Sequence, residues 1–215
     1  MDFRVEGINN LIQNMLNSSI DSTGQVEDDL NQTTQDIIRG QGDTVSISAM
    51  GRHINELYSE LQVEGSEQAL TGFRHLMTDL AAEPDSLDTL RFVDTATRLS
   101  ESDTGVFSEA FETVNILEEE GISSRSWFST LNNMDAEQVG TFVEITDQII
   151  SQADDDMKEG LLTQMMVVIN EIVNSEDLSE EEMEALMDEF LSELSEMDTV
   201  SNMEQYITDF TEEML

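Results

Sequence analysis

The chain has 215 residues, 48 of them acidic and 8 basic, which gives a formal net charge of −40 at pH 7. This length can enclose a hydrophobic core in one or two domains, and the 38% apolar content is too high for a wholly disordered acidic chain. The absence of cysteine excludes disulfides, thiolate metal sites and cysteine nucleophiles, and no apolar run reaches the roughly 18 residues that a membrane span requires. We therefore expect a soluble, cytoplasmic protein made without a cleaved signal.

Residues 1–42 have the composition of a flexible polar arm. Apolar residues within 8–16 recur at helical spacing, which predicts one short amphipathic helix. Serine, threonine, aspartate, asparagine, glutamine and glycine dominate from 17 to 42, as is typical of a linker.

From residue 43 onward, apolar residues recur at helical spacing almost without interruption, which predicts an all-α protein with about nine helices in total. Gly65, Pro84 and Gly121 are expected to end or separate helices. Three capping boxes predict helix starts, and they pair Asp135 with Gln138, Ser179 with Glu182 and Ser201 with Glu204. The longest strand-like alternation covers only residues 44–48.

A weak internal similarity suggests repetition. At an offset of 50, Asp85 matches Asp135 and Phe92 matches Phe142. We predict a helical domain over 43–174 with two repeats of about 50 residues, whose helical hairpins stack as a small array. An irregular bundle is the alternative. Residues 175–215 are predicted to form a strongly acidic helical hairpin that packs on this domain.

The negative charge restricts the kinds of partner. It repels nucleic acid phosphates and anionic lipid headgroups, so we expect neither a nucleic acid nor a membrane partner. It favours a protein with a basic or amphipathic segment. The acidity is greatest in residues 175–215, which hold 15 acidic and no basic residues.

Signatures of catalysis or of a metal site do not stand out. His75 and Asp79 share a helix spacing, but no third ligand follows at a metal-binding interval. The sequence has no glycine-rich phosphate loop, and its many paired carboxylates single out no acid or base. We expect no enzyme activity, no cofactor and no specific metal site.

The final hairpin is the candidate partner-binding surface. It combines dense carboxylates with methionines, whose flexible side chains adapt to amphipathic helices when they line a groove. Methionines at this spacing are also typical of an ordinary core. The candidate residues are Glu180, Glu181, Glu182, Met183, Glu184, Met187, Asp188, Glu189, Met197 and Met203.

Residues 43–54 carry a family resemblance. The pattern of Asp43, Val45, Ile47-Ser48, Arg52 and Ile54 resembles a segment of flagellar anti-sigma factors of the FlgM type and of other bacterial flagellum-associated proteins. The resemblance implies a bacterial protein of the flagellar regulon that binds another protein and passes through the export apparatus with an unfolded N-terminus. The sigma-binding part of that family is short and contains lysines, whereas acidic helices follow here, so only the general association carries over.

Our leading hypothesis is a non-catalytic interaction protein, such as an adaptor, chaperone or regulator, that docks a basic or amphipathic segment. One alternative is a structural domain adapted to molar salt, in which the acidic surface serves solubility. Another is a low-affinity divalent-cation buffer. Mimicry of a nucleic acid rests on charge alone.

Overall fold

The computed structural model describes residues 44–82, 86–175 and 178–214. These ranges contain nine α-helices, one 3₁₀ turn and no β-strand, which confirms the all-α class. The helices are α1 (Thr44–Glu64), α2 (Glu67–Ala82), α3 (Ser86–Ser102), α4 (Thr104–Glu119), α5 (Ser124–Thr130), α6 (Ala136–Gln152), α7 (Asp155–Val173), α8 (Glu180–Ser195) and α9 (Val200–Met214). The 3₁₀ turn, Leu131–Asn133, follows α5. The predicted arm, residues 1–42, lies outside the described residues, as does the predicted break at Pro84.

Local sequence signals set several helix ends. Gly121 has φ 75° and ends α4, and Ile122 N–H donates to Leu117 O at 2.9 Å, which closes a Schellman motif. The capping boxes at Asp135 and Ser179 are both present. The box predicted at Ser201 is wrong, because α9 begins at Val200, which places Ser201 inside the helix, and Thr199 Oγ1 accepts a hydrogen bond from the N–H of residue 202 at 3.3 Å. The strand-like run 44–48 is the beginning of α1.

The helices pack in two rows. The even-numbered helices contact one another in the order α2, α4, α6, α8, and the odd-numbered helices follow in a second row from α1 to α9. Successive helices of the chain therefore cross from one row to the other, as in stacked helical hairpins. Repetition of the sequence at about 50 residues stays a prediction.

Neighbouring helices in the even row run parallel. Val106 and Thr113 of α4 lie against Gly140 and Asp147 of α6, so both contacts advance in the same direction. The same holds between α6 and the α8 region. Gln138 Nε2 donates to Asp188 Oδ1 at 2.7 Å, and Gln148 Nε2 donates to Met197 O at 2.7 Å. The C-terminal hairpin is thus held to α6 at the middle of α8 and just beyond its end.

One continuous hydrophobic core extends from α1 to α9. Phe111 of α4 is central to it, with ring centroids 5.2 Å from both Phe73 and Phe128 and 5.3 Å from Phe107. The close contact of α2 with α4 requires Gly72. A Cβ added there would lie 1.9 Å from the carbonyl oxygen of Phe111, nearer than any real carbon approaches.

Candidate functional site: an acidic cleft between α6 and α8

The predicted site begins with a well-defined helix start. Ser179 Oγ accepts from the backbone N–H of Glu182, and the Glu182 carboxylate accepts from Ser179 N–H at 2.9 Å and from its hydroxyl at 2.7 Å. Hydrogen bonds from the hydroxyl and from the backbone of Ser179 lower the pKa of Glu182, in that order of importance. This carboxylate is thus held in its ionised form at the first turn of α8, where negative charge suits the helix dipole.

The structure separates the methionines of the predicted surface from its acids. Met187 and Met203 are 2% and 0% exposed, so they belong to the core and offer no surface to a partner. Met183 and Met197 are half-buried against that core. The exposed members of the predicted set are Glu181, Glu182, Glu184, Asp188 and Glu189, while the side chain of Glu180 lies outside the described residues.

Helix geometry also divides the acids of α8 between two faces. Positions three, four or seven apart share a face, so Glu181 and Glu184 lie on the same side of α8 as Asp188. Glu189 is about 100° further round the helix. Asp188 is the predicted residue that the structure places in a cleft, and its neighbour Glu189 does not line that cleft.

The cleft lies between α6 and α8 and has a volume of about 320 Å³. Three carboxylates line it, from Asp135 and Glu137 at the start of α6 and from Asp188 of α8. The remaining lining residues are Gln138, Thr141, Leu191, Ser192 and Ser195. All eight side chains are acidic, neutral polar or apolar, so the cleft offers hydrogen-bond acceptors and concentrated negative charge.

Gln138 fixes the position of the two aspartates. Asp135 Oδ1 accepts from Gln138 N–H at 2.9 Å, and Gln138 Oε1 accepts from Asp135 N–H at 3.1 Å. The other end of the same buried amide donates to Asp188. A carboxylate has two oxygens with about four acceptor positions, so these bonds leave both aspartates with capacity for a further donor.

Arg98 stabilises the backbone turn that precedes the cleft residue Asp135. Its guanidinium donates to the carbonyl oxygens of Leu131, at 2.8 Å, and of Met134, which fixes the turn that leads into Asp135. Burial lowers the pKa of Arg98, against the opposing attraction of Asp94 and Asp135. The side chain remains charged at neutral pH, but its donors are directed at backbone and do not line the cleft.

The only lysine of the chain is also paired away from this site. Lys158 Nζ lies 2.8 Å from Glu120 Oε2 and 3.0 Å from Asp155 Oδ1, and its hydrogen bonds to these two acids raise its pKa. It therefore joins the end of α4 to the start of α7. The strongest negative surface, on α8, is not neutralised by it.

Two other kinds of site are absent from the described part of the chain. Within it, no group of three or more histidine or acidic side chains is arranged to hold a metal ion. The helices there also include none that is both long enough and apolar enough to cross a bilayer.

Sequence reasoning identified Asp188 but not the residues that complete the cleft. Asp135 and Gln138 were expected only as a capping box, and Glu137 and Thr141 carried no signal. Their role depends on the pairing of α6 with α8, which are separated by about 50 residues of chain. Comparisons with protein-family models, with curated proteins and with solved structures found no match to this chain.

Proposed function

We propose that the protein is a non-catalytic interaction module that docks a basic segment of a partner protein, with an arginine or lysine side chain in the acidic cleft. The observation that carries this proposal is the convergence of Asp135, Glu137 and Asp188 in one cleft without a lining cation. A guanidinium fits two carboxylates and several hydroxyl acceptors better than a solvated metal ion does, because its five donors spread over a plane.

The surroundings of the cleft favour a segment over a single small cation. Glu181 and Glu184 continue the negative charge from Asp188 along the same face of α8 for about two turns. A partner helix or extended segment with several basic residues would gain from this whole face, and its association would be accelerated by the net charge and slowed by salt.

The proposed role is that of a cytoplasmic adaptor, chaperone or regulator. The resemblance of residues 43–54 to flagellum-associated proteins supports a bacterial flagellar or export setting, and these residues lie outside the cleft. Docking in this cleft is specific, so removing a charge from the cleft should weaken binding more than removing a charge from elsewhere on the acidic surface.

A matched pair of variants tests the site. Asp188→Asn and Glu189→Gln each remove one charge from adjacent positions, but only the first removes it from the cleft. Asparagine retains an acceptor oxygen for Gln138, so the contact between α6 and α8 is preserved. Binding is measured by fluorescence anisotropy with a labelled amphipathic peptide that bears arginines on one face.

We expect Asp188→Asn to weaken binding about tenfold, or about 1.4 kcal/mol, because the cleft carboxylate that would pair with the bound arginine loses its charge. Glu189→Gln should weaken it by about twofold or less, since an exposed charge is screened. The same peptide with citrulline in place of arginine should bind poorly. Equal effects of the two variants, or equal binding of the citrulline peptide, would overturn the proposal.

A further inference from the structure

A second cleft, whose charged lining residues are basic instead of acidic, opens between α2, α3 and α5. Its volume is about 420 Å³, within the range of small-molecule sites. Two arginines line it, Arg91 of α3 and Arg125 of α5, in a chain that has 40 more acidic than basic residues. A cleft with this lining attracts anionic ligands, whereas the acidic residues over most of the surface repel them.

The floor of the cleft is apolar. Leu76 and Leu80 of α2 and the rings of Phe92 and Phe128 form it, and each is 4% exposed or less. The two ring centroids are 5.3 Å apart, with the planes inclined at 39°. These side chains are part of the continuous core, so the floor is preformed and rigid.

Neutral hydrogen-bonding groups surround this floor. Ser123, Ser126 and Ser129 come from α5 and the residue before it, and Thr95 and Asn132 complete the lining. Thr95 Oγ1 donates to Asn132 Oδ1 at 3.0 Å. This bond orients the amide so that its NH2 group can donate to a ligand. Ser123 Oγ donates to Ser126 Oγ at 3.1 Å, so the Ser126 hydroxyl is oriented by its neighbour and has its own proton to donate.

We propose that this second cleft binds a small amphipathic carboxylate, with its apolar body on the phenylalanine floor and its anionic end toward the arginines. Two guanidinium groups match an oxyanion, and the hydroxyl and amide donors provide further hydrogen bonds. Arg125 also interacts with Asp79 of α2. Arg91 is exposed at the rim and is the side chain best placed to admit and select an anion. This site is independent of the acidic cleft and of the proposed partner.

The test uses 4-phenylbutyrate as the probe and its neutral amide as the control, with the full chain and isothermal titration calorimetry at constant ionic strength. Arg91→Gln removes one positive charge at the rim, and Arg52→Gln removes one from an exposed position of α1 outside the cleft. We expect saturable millimolar binding of the carboxylate, about fivefold weaker binding to Arg91→Gln, and no change for Arg52→Gln.

Backbone amide shifts in an NMR titration provide the second measurement, and they should change at Ser126, Ser129 and Asn132. Three results would each overturn the proposal: no saturable binding at millimolar probe, equal binding of the neutral amide, or equal effects of the two arginine variants. Failure here leaves the arginine-peptide result unaffected, because the two clefts share no lining residue.

Discussion

Trp127 Nε1 donates a 2.9 Å hydrogen bond to Thr146 Oγ1, and both side chains are fully buried. Thr146 Oγ1 in turn donates to Phe142 O at 2.8 Å. The indole also stacks on the Phe142 ring, with centroids 5.4 Å apart and planes inclined at 19°. This relationship joins the short helix α5 to α6, the helix that carries the acidic cleft.

Thr146→Val tests that relationship. The substitution keeps the side-chain volume but leaves the indole N–H without its acceptor in the core, which should cost about 1–3 kcal/mol of unfolding free energy. Urea denaturation measures this, and Trp127 serves as the fluorescent reporter because it is the only tryptophan. Thr208→Val is the control, since Thr208 is exposed and donates to its own helix as Thr146 does. If both variants lose the same stability, the indole bond is unimportant.

Gly72→Ala tests the close packing of α2 on α4. The new methyl group would clash with the Phe111 backbone, so we expect a loss of about 3 kcal/mol in unfolding free energy. Gly160→Ala is the matched control in an exposed part of α7, where an added Cβ meets nothing within 4 Å. Alanine there should stabilise the protein by about 0.5–1 kcal/mol through helix propensity. A stable Gly72→Ala protein would contradict this packing.

Acidic pH should stabilise the fold. Burial and the neighbouring acids Glu112, Asp103, Glu144 and Asp147 raise the pKa of Glu109, and partial burial against α4 is the main cause of the raised pKa of Asp147. A raised folded-state pKa contributes stability that is full below the unfolded value and is lost as pH rises through the folded value. Lowering the pH from neutral toward these raised pKa values should therefore raise the melting temperature.

Asp147→Asn isolates the contribution of the acid at the contact of α6 with α4. We expect higher stability than the native protein at neutral pH and a shallower dependence of melting temperature on pH, because the repelling charge is gone. Asp198→Asn, which changes an exposed acid beyond α8, is the control and should change the slope little. Glu182 acts in the opposite direction through its lowered pKa, so its contribution is lost as pH falls. Destabilisation by Asp147→Asn at neutral pH would show that the charge of Asp147 does not oppose folding there.

Salt provides a test of the main alternative. Because one hydrophobic core joins all nine described helices, the protein should be helical and unfold cooperatively already at about 0.1 M KCl. Circular dichroism with thermal melting, from low salt to about 3 M KCl, measures this. A chain that folds only above molar salt would instead favour a domain whose acids serve solubility.

The sequence predicted most of the local structure. Capping at Asp135 and Ser179 and the stop at Gly121 depend on residues within about six positions of one another, so the chain itself specifies them. Ser201 misled because Thr199 offers a competing cap two residues earlier. The residue type alone does not decide which of the two is the N-cap, since the hydroxyl of either Ser or Thr can cap a helix.

The candidate site was less predictable. The methionines of the C-terminal hairpin proved to belong largely to the core. Met187 and Met203 lie on the faces of α8 and α9 that are buried against the rest of the protein. Asp188 acquires its partners only through the contact of Gln138 with α8. Gly72 and the arginine-lined cleft likewise depend on helix pairs that are distant in sequence, and periodicity along one helix does not specify which helix it will meet.

Docking in the acidic cleft is tested most sharply by an NMR titration of the isotope-labelled chain with the arginine-bearing peptide, at an ionic strength of about 0.15 M. If the peptide docks there, amide shifts concentrate on the start of α6, residues 135–141, and on α8 from Asp188 to Ser195. Shifts distributed over all the acidic helices, or concentrated away from α6 and α8, would contradict it and show that the peptide senses net charge rather than the cleft.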